Sequence, residues 1–164
     1  MNQPTPTDPD TVWQHVVEAI YSGNEVPKEF FQQEGNRTDI LRRAFTVSKR
    51  EISAALNIMS RLPAWELTPL FSELIHSSTS HSFAGAAREI ILTLPREWVL
   101  ANIEQTAEEH LAAGTYDEYR RFLELYMLLD RNLTKRLVAR ALDHPDEDVR
   151  EAGEEFRKII LSSE

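Results

Sequence analysis

Two short constellations in this chain carry residue types that could do chemistry. Glu73-Leu74-Ile75-His76 sets a carboxylate and an imidazole three residues apart, the spacing used by carboxylate-bridged metal centres in helical bundles. Those centres need a second copy and further glutamates, and no other Glu-x-x-His occurs here. A surface or capping histidine accounts for the pair better. Ser80-His81-Ser82 joins hydroxyls to a potential general base, yet sequence neighbours rarely face each other and no orienting acid can be identified. A polar loop is the simpler account. Trp13, Trp65 and Trp98 read as packing residues rather than a base-stacking platform, because no basic stripe accompanies them. Tyr116, Tyr119 and Tyr126 could anchor an interface. Tyr119 and Tyr126 fall on a core stripe, which leaves Tyr116 as the exposed candidate. The expectation is a protein without catalytic residues, metal or cofactor.

Composition narrows the remaining classes. Twenty-seven acidic residues against 18 basic ones give a formal charge of −9. Nucleic-acid binding draws most of its affinity from Lys and Arg on phosphates, so this balance argues against it, and against an anionic membrane surface. A basic protein partner fits better. The absence of cysteine removes disulfides, zinc-thiolate sites and thiol nucleophiles, and suits a reducing cytoplasm. No apolar run approaches the ~20 residues that span a bilayer, and Met1 to Asp10 has neither the basic nor the apolar region of a signal peptide. A soluble cytoplasmic protein is expected.

The elements that must carry these residues follow from a four-fold echo. Ile52, Ala55, Met59 and Leu62 recur as Ala84, Ala87, Ile91 and Leu94, then as Tyr119, Phe122, Tyr126 and Leu129, then as Val149, Ala152, Phe156 and Ile159. Each set keeps one set of offsets, which places its side chains on one helical face. A period of about 30–35 residues signals stacked helical units, each too small to bury its apolar face alone. Further helices are expected from about Thr11, with Asp10 or Thr11 as its cap, over Pro27–Phe31, Asp39–Val47, 64–76, 96–112 and 131–142. Pro69 would bend the 64–76 helix; Pro63 and Pro95 close the first two echoed helices. Residues 1–10, with three prolines, read as a flexible tail, and 11–164 as one all-α helical-repeat domain.

Asp143-His144-Pro145-Asp146-Glu147-Asp148-Val149-Arg150-Glu151-Ala152 resembles the turn and second helix of a HEAT repeat. Glu66 to Ile75 followed by Ala84, Ala87 and Leu94 is similar to a whole unit, more loosely. The third unit departs, with Tyr119 and Phe122 at positions where small residues are usual. The resemblance covers roughly residues 38–161. It implies a right-handed α-α superhelix, a short solenoid of antiparallel helix pairs, and leaves function open. Leu125 to Asp130 and Asp146 to Phe156 also resemble, on short motifs, HEAT-like bacterial immunity proteins that neutralise a cognate toxin.

In such a stack the echoed helices line the inner face. Their outward positions form a column of Asn57, Glu89, Glu124 and Glu154, beside Ser53, Gly85, Arg120 and Arg150, and Asp117, Glu147 and Glu151 extend the acidic surface. One account makes these a solvated face, with Arg120/Glu124 and Arg150/Glu154 as i,i+4 pairs worth ~0.2–0.5 kcal/mol each. The other makes the column an electrostatic landing surface for a basic protein. The leading expectation is therefore a non-enzymatic binding protein, monomeric when free, that occludes one basic protein such as a toxin domain. A scaffold that binds a peptide or subunit is the rival. A HEAT-like enzyme acting on alkylated DNA or on a tetrapyrrole chromophore is the third reading, and the acidic column counts against its DNA version.

Overall fold

Amphipathic stripes separated by Pro, Gly and Asp breaks become eleven α-helices and one 3₁₀ turn, with no strand among the described residues. The structure is a computed structural model and describes residues 8–33 and 35–163. The chain divides into two compact units, residues 1–73 and 74–164, and the division falls inside α6.

The first unit holds α1 (Pro9–Ser22), α2 (Lys28–Gln32), α3 (Arg37–Ala44), α4 (Lys49–Met59), α5 (Ala64–Leu67), the 3₁₀ turn Thr68–Leu70 and the start of α6 (Phe71–Thr79). Helix α1 begins two residues before Thr11, because Asp8 accepts from the Thr11 amide and Pro9 occupies the first helical position, where its missing N–H costs nothing. The expected tail otherwise lies at 1–7, outside the described residues. Gly23, at φ 70°, ends α1 in the left-handed conformation that glycine alone adopts freely. Val12, Trp13, Val16 and Val17 are buried, the Trp13 ring lies 5.9 Å from that of Phe30, and the Trp13 indole donates to Glu51 of α4 at 2.9 Å. Arg37 and Glu66 form a buried two-pronged pair at 2.8 and 2.6 Å. Pro69 does more than bend the expected 64–76 helix: it divides it into α5, the 3₁₀ turn and α6. Trp65, expected to pack, is 66 % exposed.

The second unit continues α6 to Thr79, past the expected helix end at 76, so Ser77 and Ser78 are buried helix residues. It then adds α7 (Ala84–Thr93), α8 (Arg96–Leu111), α9 (Tyr116–Leu129), α10 (Arg131–Leu142) and α11 (Glu147–Ser162). Arg96 at the start of α8 donates to the Leu129 carbonyl and the Asp130 carboxylate at the end of α9, so these two helices are antiparallel. Arg131 at the start of α10 donates to the Ile160 carbonyl near the end of α11, and Gly153 lies against Ala141 and Leu142; this second hairpin is antiparallel too. Glu104 and Glu108 of α8 meet Arg136 and Arg140 of α10 in register, which makes α8 and α10 parallel. The connections 112–115 and 143–146 consequently lie at the same end of the unit.

The echoed sets supply much of the core. Of the twelve echoed positions on α9, α11 and α7 with its cap Leu94, eleven are buried; Ile159 is exposed and Ile160 is buried in its place. At 100° per residue a ten-residue offset has drifted 80° from the stripe, whereas eleven residues bring it back to within about 20°. Each fully buried Leu, Ile or Phe contributes roughly 1.5–3 kcal/mol.

Candidate functional site

Arginines tie the echoed helices of the second unit in series. From α7, Arg88 reaches α9, donating at 2.9 Å to both the Arg121 carbonyl and the Glu124 carboxylate. From α9, Arg120 reaches Glu155 of α11, bonds the Tyr116 hydroxyl at 3.0 Å, and lies within 5.9 Å of the centre of the Phe156 ring. Hydrogen bonds to Glu155 and Tyr116 push the Arg120 pKa up, so this cation is fixed. Glu124 also lies 3.4 Å from Arg120 and 3.3 Å from Arg121. Three guanidiniums around one carboxylate leave it little field to offer a partner.

The nine residues expected to bind a partner therefore sort by what already holds them. Asn57 belongs to the first unit, is exposed, and accepts from Arg61 at 3.0 Å. Arg120 and Glu124 are internal clamps. The Arg150/Glu154 pair expected from i,i+4 spacing does not form: Arg150 donates instead to the His144 and Pro145 carbonyls at 2.8 and 2.7 Å, while Glu154 pairs with Arg157 at 2.7 Å. Two carbonyl acceptors in the Asp-His-Pro-Asp turn outcompete a single solvated carboxylate. Glu89, Asp117, Glu147 and Glu151 are exposed and make no ion pair among the described residues.

Those free carboxylates are unevenly placed. Asp117 lies in the first turn of α9, Glu147 opens α11 and Glu151 follows one turn later, so all three lie toward the end of the unit that carries connections 112–115 and 143–146. Asp143 and Asp148 add two exposed carboxylates there. Part of this charge serves the helices, since acids in a first turn favour the macrodipole by ~0.3–1 kcal/mol each. Asp146 caps α11 by accepting from the Asp148 amide at 2.9 Å. At the start of α9, Thr115 and Glu118 form a capping box, and that hydrogen bond holds the Glu118 carboxyl below its usual range. The opposite end of the same helices bears the exposed apolar side chains Met127, Leu128, Ile159 and Leu161.

The two constellations that open the sequence do not assemble into reacting groups. Glu73 is held by Arg42 at 3.0 Å, and His76 stacks on His110 at 5.3 Å between ring centres. His81 Nδ1 lies 3.5 Å from an Arg121 guanidinium, which supplies no general base with an orienting acid. Among the described residues no group of three or more His, Asp or Glu is placed to hold a metal ion. No described helix is long and apolar enough to cross a membrane. Tyr116 is half-buried and already bonded to Arg120.

Sequence reasoning missed Arg88, Arg136 and Arg140. Its signal was present: Arg88 stands 32 residues before Arg120, the same step as from Glu104 to Arg136 and from Glu108 to Arg140, which is one repeat. Family models, curated proteins and solved structures yield no match to this chain.

Proposed function

We propose that this chain is a non-enzymatic binding protein that docks one basic protein partner on the acidic end of its second unit. The observation that carries the reading is a separation of carboxylates on α8 to α11 into two groups, Glu89 of α7 standing free apart from both. Glu104, Glu108, Glu124, Glu154 and Glu155 are neutralised by arginines, whereas Asp117, Glu147 and Glu151 stand exposed and unpaired together at one end. An unpaired acidic surface raises the on-rate of a cationic partner and disfavours acidic competitors. The antiparallel hairpins with a common internal period support a short HEAT-like α-α solenoid as the finer description of the fold. On that fold, and with a charge of −9, an immunity protein that covers the basic cleft of a toxin is the particular role we favour.

Charge reversal tests the docking surface. Asp117→Lys, Glu147→Lys and Glu151→Lys in one chain should abolish retention of a basic partner at low salt, while Glu104→Gln on the compensated face should leave retention intact. Capture of a constant multi-subunit set by both chains would instead indicate a scaffold.

A further inference from the structure

Two imidazoles of the second unit meet with their ring nitrogens free. His76, in the last turn of α6, and His110, in the last turn of α8, lie 5.3 Å apart between ring centres, with their planes tilted by 39°. Neither ring makes a hydrogen bond among the described residues. His76 is exposed and His110 half-buried, so solvent reaches the pair. The buried Phe122 ring, 6.0 Å from that of His110, limits how far His110 can turn.

The spacing suits a shared metal ion. An imidazole nitrogen binds Zn²⁺ at about 2.0–2.1 Å, which puts the ion ~3.2 Å from each ring centre. Two ring centres 5.3 Å apart then subtend about 110° at the ion, close to the tetrahedral angle that zinc adopts. Burial, and then His76, hold His110 below its ordinary pKa, so at neutral pH the ring keeps the lone pair a metal requires. Glu109 and Glu118 set a negative field at the same ring, which favours a cation over an anion. Imidazole donors select Zn²⁺, Cu²⁺ or Ni²⁺ over Mg²⁺ and Ca²⁺, which take oxygen. A resident zinc centre has three or four protein ligands. Two ligands leave the other positions to water, so the ion exchanges.

We infer that His76 and His110 form a two-histidine site for an exchangeable transition-metal dication, Zn²⁺ by its geometry, with water in the remaining positions. The site uses none of the carboxylates of the proposed docking surface, so either can fail without the other.

The probes are zinc chloride and, as the oxygen-preferring control, magnesium chloride, titrated separately into the full chain carrying ¹⁵N-labelled histidine. Zinc should move the ring resonances of His76 and His110 together and saturably, at one ion per chain, with half-saturation at about 1–100 µM. Magnesium should move neither. His76→Ala, at an exposed position, and His110→Gln should each weaken zinc binding about tenfold or more, with unchanged helical circular-dichroism spectra. His15→Ala, at an exposed position in the first unit, should leave it intact. Zinc should also raise the urea midpoint of the wild type and not that of His76→Ala. Ring resonances of His76 and His110 that stay in place at about 1 mM zinc would overturn the proposal. Equal zinc affinity in wild type and His76→Ala, the mark of scattered adventitious binding, would overturn it as well.

Discussion

Arg88 of α7 and Glu124 of α9 meet at 2.9 Å with only 15 % and 27 % of their side chains exposed, and the same guanidinium also holds the Arg121 carbonyl. The bond joins two residues 36 positions apart in sequence, on different helices. It turns the central carboxylate of the expected binding column into a structural tie.

A double-mutant cycle measures that tie. Arg88→Ala and Glu124→Gln should each destabilise the chain, and the pair should show a coupling energy of about 0.5–3 kcal/mol, the range for residues in direct contact. Urea unfolding of the four chains checks it. Strict additivity would show that the contact contributes nothing.

Close approach of α10 and α11 at Gly153 gives a second expectation. A Cβ there would lie 3.0 Å from the Ala141 Cβ and 3.1 Å from the Leu142 amide nitrogen, and backbone atoms cannot swing away. The ~1 kcal/mol by which alanine exceeds glycine in a helix is then outweighed by an overpacking cost of about 1–3 kcal/mol. Gly85 has nothing within 4 Å of its Cβ position. Gly85→Ala should therefore stabilise by up to about 1 kcal/mol and Gly153→Ala should destabilise, as read from urea midpoints.

Thr115→Ala removes the capping box that opens α9. Loss of about 1 kcal/mol is expected. Glu118 would also return toward its ordinary carboxylate pKa, which NMR titration of its side chain would detect.

The stability of the second unit should depend on pH through His110. Burial, and then the neighbouring His76, hold this imidazole below its usual pKa, with Glu109 and Glu118 opposing. The folded state thus prefers the neutral ring. Between the lowered value and about 6.5 the unfolded chain binds a proton that the folded chain does not, so stability falls as the pH drops through that window. Above it this contribution is constant. His110→Gln should flatten the dependence of the urea midpoint between about pH 8 and pH 5.

The helices were legible because Ala84, Ala87, Ile91 and Leu94, and likewise Tyr119, Phe122, Tyr126 and Leu129, bury one face at a fixed spacing. The division at Pro69 was visible only as a bend, since a proline does not announce whether the helix resumes after a 3₁₀ turn. Which outward charges stay unpaired was harder to read. Periodicity shows that Glu124 and Glu151 both point away from their own core stripe, but not that three arginines from α7 and α9 converge on Glu124 while none reaches Glu151. Whether an outward carboxylate is neutralised depends on the neighbouring helix, and long side chains reach across repeats. Arg150 illustrates the same limit, because its chosen acceptors are backbone carbonyls with no sequence signature.

The acidic end is tested most directly by comparing the wild type with the Asp117→Lys/Glu147→Lys/Glu151→Lys chain as bait in one affinity capture from the source cells. Circular-dichroism melting must accompany it, since lysine at Asp117 and Glu147, in first helical turns, opposes the macrodipole by ~0.3–1 kcal/mol per site. The folded wild type should retain a single basic protein in stoichiometric amount, moderate salt should release it, and the equally folded triple variant should not bind it. Retention of the same protein in equal yield by both chains would contradict the account.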